Sequence, residues 1–413
     1  MEDLTILGVG GRLQPMVDIC SLSTVHYAYD NRIYHKQARS LAAAGFSVTV
    51  LARAEDDPPP DDTVDVQYLP SHHSRFARFV STLRLLGRVF QLRARVYVVH
   101  DPELLPLALA LKLLRCRVVY DMHEDMPAQI GMKEWLPRWS RPFIAALYRR
   151  LERFALRRLD GLVLAETGYE PAYTHRHRAT VLNYPTTRSH QADAQDATHQ
   201  IISASDDEPG QVPAQAPGQV VAYVGTLTER RGLFTMLEAA RQIKEDIPSV
   251  LFKLVGPINV PSEAARAKAF IDDHDLHQIV QFTGRLAPVQ AHAQLKDARV
   301  GLALLEPEPN YLHSLPTKLF EYMLAGVPVL CSNVPLWQQI VADSGCGFTV
   351  SPHDMTAIVS HLKLLLQDDE VWRRCRDHGL AAVHQHYTWE SQAEHLIDFY
   401  AAFVDPAALS TKV

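Results

Sequence analysis

The sequence contains no run of about 18 uncharged apolar residues, so no segment is expected to cross a membrane as a helix. Its longest apolar stretch, residues 104–114, is short and carries Lys112. Glu2 and Asp3 stand where a secretory leader would carry cations, and no apolar h-region follows, so no leader is expected. Cysteine is scarce. Cys20, Cys116, Cys331, Cys346 and Cys375 form no C-x-x-C pair and lie mostly in apolar runs, which points to reduced core thiols of a cytoplasmic protein. Neither the H-E-x-x-H spacing of a zinc helix nor a G-x-S-x-G nucleophile elbow occurs. A net charge of −6 argues against a general nucleic-acid binder.

What is present is a repeating alternation. At 413 residues the chain is long for one core, and an apolar fraction of 47% supports more than one. Strand-like runs fall at 17–23, 46–52, 64–69, 96–99, 118–120, 161–164 and 179–182, with helical periods such as 33–44 and 105–114 between them. Residues 186–219 then lose all aromatics and become rich in Ala, Gln, Asp, Ser and Pro, which reads as a flexible linker, with an ordered insertion as the alternative. The alternation restarts with strands at 220–224, 250–255, 279–282, 300–305, 327–331 and 347–350, and with helices such as 233–243 and 289–296. Two α/β domains are expected, each a Rossmann-like doubly wound parallel sheet, facing each other across a cleft at the carboxyl ends of their strands.

The most telling stretch is Leu315-Pro316-Thr317-Lys318-Leu319-Phe320-Glu321-Tyr322-Met323, followed by Gly326 and an apolar strand. Pro316 opens a helix whose unpaired amides would receive phosphate. Lys318 adds a charged donor, and Glu321, one turn later, can accept two sugar hydroxyls. Together they suit a nucleotide-sugar better than a bare anion. Gly225-Thr226-Leu227-Thr228-Glu229-Arg230-Arg231-Gly232 makes a strand-to-helix turn where Arg231 can grip a diphosphate bidentately; a plain turn with a solvated arginine is the alternative. Gly284, Arg285 and Leu286 end a strand of the same sheet. In the first half, His100 with Asp101 and Asp121 with His123 each end a strand, and His26 and Asp30 follow the first one. Asp101 can cap the next helix as well as face an acceptor, with capping alone as the alternative. A metal reading of Asp121, His123 and Glu124 lacks the usual spacing. Gly8-Val9-Gly10-Gly11 lacks the third glycine of a dinucleotide fingerprint, and Asp273-His274-Asp275 reads as a solvated turn.

On these motifs the chain resembles the retaining glycosyltransferases of family 4, which have the GT-B fold. The resemblance implies an acceptor-binding domain at 16–185 after an extension at 1–15, a donor domain at 220–390 after the linker, and a last helix at 391–413 that crosses back. It places Glu321 near the ribose and the Gly284-Arg285-Leu286 backbone near the nucleobase. Gly225, Thr226, Arg231, Leu315, Pro316, Thr317 and Lys318 fall around the phosphates, and His123 near the transferred sugar. His26, Asp30, His100 and Asp101 fall on the acceptor side. Two positions depart from the family pattern: Thr226 replaces an arginine, and His313 replaces the first of two glutamates, at the donor sugar. Arg231, Lys318 and His123 are the expected catalytic groups, with no metal and no cofactor beyond the nucleotide-sugar donor. The implied acceptor is a glycan or a lipid-linked acceptor in cell-envelope or extracellular polysaccharide biosynthesis. Alternatives are a GT-B nucleotide-sugar epimerase, which would turn over donor without acceptor, and a weakly catalytic nucleotide-sugar-binding scaffold.

Charge adds a further expectation. No acid lies between Asp65 and Asp101, while Arg75, Arg78, Arg84, Arg88, Arg93 and Arg95 do. Residues 133–158 repeat the theme with Trp135, Trp139, Phe143, Arg149, Arg150, Arg153, Arg157 and Arg158. Such helices, 75–95 and 133–158, either bind an anionic membrane surface at the inner face of the cell membrane or simply show an Arg-rich outer face above a core-facing one.

Overall fold

A computed structural model of the chain describes residues 17–54, 63–69, 87, 89–132, 136–187, 218–286, 288–308, 311–312 and 314–404. They fall into two compact units: one reaches Leu182 and takes back the chain from Gln392 onward, the other is Asn183–Ser391. The expected extension at 1–15 and positions 188–217 of the expected linker lie outside the described residues. The ends of that linker are held in place rather than loose. The Thr187 amide donates to Glu390 Oε1 at 3.0 Å, and the Gln219 carbonyl accepts the Leu251 amide at 2.9 Å.

The first unit is built on β1 (Val17–Tyr27), β2 (Val48–Arg53), β3 (Asp65–Leu69), β4 (Ala94–Val99), β5 (Arg117–Met122), β6 (Gly161–Leu164) and β7 (Arg178–Thr180). Their order is β3-β2-β1-β4-β5-β6-β7, and every pairing is parallel. Residues 96–99, 118–122 and 161–164 are buried throughout, as strands covered on both faces must be. A π-helical segment, Asn31–Ala38, leads into α1 (Arg39–Ala43), so the helix expected at 33–44 is mostly wider than an α-helix. Then come α2 (Leu105–Leu113), α3 (Met126–Met132) and α4 (Arg141–Leu156). The basic helix expected at 75–95 is overturned at its end: Arg95 lies on β4 and pairs with Asp18 at 3.2 Å. Its residues 75–86 and 88 lie outside the described ones.

The second unit carries β8 (Val220–Val224), β9 (Leu251–Val255), β10 (Val280–Gly284), β11 (Val300–Ala303), β12 (Val329–Ser332) and β13 (Gly347–Val350), in the order β10-β9-β8-β11-β12-β13, again all parallel. Around it lie α5 (Leu233–Ile243), α6 (Pro261–Asp273), α7 (Pro288–Ala293), α8 (Thr317–Leu324), α9 (Pro335–Ser344), α10 (Met355–Gln367) and α11 (Asp369–His386). The Tyr322 hydroxyl of α8 accepts the Val224 amide and donates to the Leu302 carbonyl, both at 3.1 Å, which fixes this helix against β8 and β11. The last helix, α12 (Trp389–Ala401), joins the first unit from Gln392, whose Oε1 accepts the Leu182 amide at 2.9 Å; Tyr400 is fully buried there. In each sheet the strand order reverses once, between β1 and β4 and between β8 and β11. Loops leaving those strands part at their carboxyl ends and open a crevice, where ligands bind in such folds.

Four cysteines are buried and Cys116 is half-buried, so it departs from the expected core set; all five are free thiols. Among the described residues no helix is long and apolar enough to cross a membrane.

One buried acid gives the first unit a pH signature. Glu152 on the inner face of α4 is wholly buried, accepts the Tyr173 hydroxyl at 2.9 Å, and is pushed by burial up to about 7. The folded chain thus holds a proton there that the unfolded chain releases near its ordinary 4.5. Stability falls as pH rises through that window, by on the order of 3 kcal/mol. Thermal unfolding should show wild type and Glu152→Gln alike at pH 4.5, with the variant more stable above pH 7.

Candidate functional site

The second unit gathers its chemistry at the β8/β11 reversal. The turn after β8 begins at Gly225, whose φ of +136° suits glycine, and a Cβ there would lie 2.9 Å from Lys318 Cε. The missing side chain is what lets Lys318 cross the turn. Its ammonium lies 5.4 Å from the centre of the Tyr223 ring, and the Tyr223 hydroxyl donates to the Thr226 carbonyl at 2.9 Å. Thr228 Oγ1 accepts the Arg231 amide at 3.2 Å, capping the single turn that aims Arg231. From the β11 side comes the loop ending in α8. The Ser314 carbonyl is held by the Trp337 indole at 3.0 Å, and Pro316 precedes the helix. Among the described residues no side chain caps the start of α8.

These parts surround one cavity of about 120 Å³, lined by Arg231, Tyr311, Ser314, Leu315, Pro316, Thr317, Lys318 and Trp337 with Ala303 and Leu305. Arg231 and Lys318, 87 positions apart in the chain, therefore meet at one hollow. Burial, then the nearby Arg231 charge, lowers Lys318 to about 8, with Glu321 pulling the other way. Burial also works against the charge on Arg231, but Tyr311 and Tyr223 outweigh it and hold the guanidinium firmly protonated. Two cations thus line one hollow beside the start of α8, a charge arrangement suited to a multiply charged anion, while the Thr317 and Leu319 amides already donate to the Leu315 and Pro316 carbonyls at 3.0 and 2.9 Å. Glu321 sits one turn beyond Lys318, outside the cavity lining, with His292 Nε2 3.8 Å from its Oε2. Gly284 takes a φ of +71° after β10 with open space around it, so backbone there is approachable; Arg285 is exposed and Leu286 half-buried. His313 lies outside the described residues.

The first unit holds a different cluster, at the β1/β4 reversal. Asp121 at the end of β5 is its hub. Its Oδ1 accepts Arg32 Nη2 at 3.0 Å, and its Oδ2 accepts Gln37 Nε2 at 2.7 Å and His123 Nε2 at 3.1 Å, with His100 Nδ1 3.2 Å away. Arg32 and Gln37 are five residues apart, a spacing that shares one face only because the segment is π-helical. Burial alone would raise the Asp121 pKa, but Arg32, His123 and His100 drive it well below the usual carboxylate range. Burial lowers His100, which stays neutral between Asp121 and Ser21 Oγ at 2.6 Å. His123, less enclosed, is thus oriented by a fixed anion.

The other expected acceptor-side residues lie elsewhere in this network. Asp101 does not cap the helix after β4. Its Oδ2 instead accepts Ser23 Oγ, the Thr24 amide and the Val25 amide at 2.9, 2.5 and 3.1 Å, which occupies it in shaping the end of β1. His26 is on the last residues of β1 rather than in the loop, and its Nδ1 faces Asp30 Oδ2 at 3.3 Å. That hydrogen bond raises His26 despite burial. Asp30 is lowered in turn, burial being outweighed by His26 and by the Arg32 and Ile33 amides that it caps. The His26 and His123 rings stand 5.3 Å apart. His100, Asp121 and His123 place three ligand-type atoms within 4.8 Å of one another. They do not fit a metal ion, because the carboxylate already takes a guanidinium and an amide donor, and a divalent ion would sit against Arg32. Sequence reasoning missed Arg32, Gln37, Tyr223, Tyr311 and Trp337, whose roles depend on distant partners.

Residues 205–381 match the family described as Glycosyl transferases group 1, and residues 31–179 match a Glycosyl transferase 4-like domain. The chain belongs to the group 1, family 4 glycosyltransferases. It is 36% identical to O-antigen chain mannosyltransferase B of Escherichia coli over 93 residues, 22% of this chain and 23% of that one. In three curated relatives the matched segment spans between 12% and 39% of the relative's length. Sucrose-phosphate synthase from Thermosynechococcus elongatus superposes with a TM-score of 0.67 at 18% identity, covering 94% of this chain and 98% of that one. Anabaena Alr3699/HepE, in complex with UDP and glucose, gives 0.64 at 14% identity, with 94% and 100% covered. These two structures show that this family member has the GT-B fold.

Because Lys318 is held at about 8, affinity for a nucleoside diphosphate, with UDP used as the probe, should weaken about tenfold from pH 7 to pH 9, as the ammonium loses its proton. In calorimetry Lys318→Arg should flatten that dependence.

Proposed function

We propose that the protein transfers a sugar from a nucleoside-diphosphate sugar to a glycan or lipid-linked acceptor of the cell envelope, with retention at the anomeric carbon. The cavity where Arg231 and Lys318 converge beside the start of α8 carries this reading. There the two cations take the diphosphate beside the start of α8, Glu321 takes the ribose hydroxyls, and the Gly284-Arg285-Leu286 backbone borders the base. HepE, a structural neighbour, is a UDP and glucose complex, which supports a nucleotide-sugar donor. The E. coli mannosyltransferase, which acts on an O-antigen chain, supports an envelope glycan.

In the reaction the bond from C1 to the phosphate oxygen breaks and a bond from C1 to the acceptor oxygen forms on the same face. The acceptor proton passes to the departing phosphate. Arg231 and Lys318 stabilise the charge that grows on that phosphate, work a metal does elsewhere, so the reaction needs neither metal nor cofactor. His123, held by Asp121, serves the sugar being transferred, and His26 with Asp30 serves the acceptor. Work of this kind belongs at the inner face of an envelope membrane.

Nucleotide release over a panel of nucleotide-sugars, with an envelope glycan as acceptor, tests the reading. Lys318→Ala and Glu321→Ala should each lower turnover at least ~100-fold without loss of thermal stability. His123→Ala should lower kcat more than donor affinity. A chelator should change nothing, and the product's anomeric proton should keep the donor's configuration. Wild-type rates in Lys318→Ala would remove the cavity from the account, and donor turnover without acceptor would favour epimerisation.

A further inference from the structure

The outer face of α4 contradicts the usual economy of a surface helix. Trp139, Phe143, Leu147, Leu151 and Phe154 are 75, 72, 60, 59 and 48% exposed. From Phe143 they recur at i, i+4, i+8 and i+11, one continuous row along the helix. Arg149, Arg153 and Arg157 form a second row beside it at the same spacing, with Arg150 between the two. All four arginines are exposed, and among the described residues Arg150, Arg153 and Arg157 have no ion-pair partner. The one acid of the helix, Glu152, points into the core. At its C-terminal end the arginine row runs into two hollows of about 450 and 560 Å³. Arg153, Arg157, Arg176 and His175 line the first, and Arg117, Arg157 and Arg176 the second, where the one carboxylate, Asp160, is paired with Lys112 at 2.7 Å.

A core-facing helix explains only the inner side, Tyr148, Glu152, Ala155 and Leu156. An outer side that joins bulky apolar residues to unpaired arginines matches a lipid–water boundary: acyl chains for the row, phosphates for the arginines. We propose that α4 docks the protein on an anionic phospholipid surface. Phe143, Leu147, Leu151 and Phe154 sit at the acyl boundary, and Arg153, Arg157 and Arg176 seat lipid phosphates at the hollows. The charge on the face selects lipid over a second copy of this chain, since two such faces would bring their arginine rows together. The proposal rests on the first unit alone and stands apart from the transfer reading.

Co-sedimentation of the full chain with phosphatidylcholine vesicles, with and without about 30% phosphatidylglycerol, tests it. Binding should be at least about tenfold stronger to the anionic vesicles and should weaken with salt. Arg150→Gln with Arg153→Gln and Arg157→Gln should lower it roughly 100-fold. Phe143→Ser with Leu147→Ser should lower it at least about tenfold, at unchanged circular dichroism and melting temperature. Equal partition into both vesicle types, or wild-type binding by either variant, overturns the proposal. So does a dimer in sedimentation velocity that Phe143→Ser with Leu147→Ser dissolves. Donor turnover with a soluble acceptor should stay at wild-type level in both variants, so a failed docking result leaves the transfer reading standing.

Discussion

Arg231 and Lys318 share a hollow in which, among the described residues, neither forms an ion pair with a carboxylate, so their mutual repulsion is only partly offset. The fold makes that arrangement tolerable. Burial and the guanidinium lower Lys318, while Tyr223 and Tyr311 support Arg231. The missing side chain at Gly225 opens the route by which the lysine arrives, and Tyr322 locks α8 so that it cannot swing away. An anion bearing two phosphates would relieve that repulsion. That is the physical content of a preorganised site: the cost of gathering the charges is met in folding rather than during the reaction.

The first unit solves the opposite problem, a buried anion. Asp121 would be strongly destabilising alone, and it is surrounded instead by Arg32, Gln37, His100 and His123. The π-helical winding of Asn31–Ala38 brings two of those partners onto one face. The result holds the His123 ring in a fixed direction with its remaining edge less enclosed than its neighbours. Removing Asp121 would loosen that histidine, so the carboxylate positions the ring.

Strands were the most legible part of the sequence, and for a simple reason. Parallel strands covered on both faces must be apolar on both, so runs such as 96–99 and 161–164 stand out without knowledge of their neighbours. Arg231 and Lys318 were legible too, because each sits at a strand-to-helix junction where geometry is local. Partnerships across long separations were not legible. Arg32 reaches Asp121 from 89 positions away, and Asp101 serves β1 across 77. A motif reading therefore left Asp101 between a helix cap and an acceptor-side residue and put His26 in a loop, where the tertiary structure places a β1 anchor and a strand end. The amphipathic pattern of 141–156 was readable, but not which side faced outward, since a helix with apolar residues on most of its circumference can bury either.

The central claim is that Arg231 and Lys318 act on one diphosphate. A double-mutant cycle on UDP affinity, using Arg231→Ala, Lys318→Ala and the pair, measures it directly. Shared action predicts that the two losses fail to add, with a coupling of at least ~1 kcal/mol. Losses that add within about 0.3 kcal/mol would show two independent sites and contradict the account.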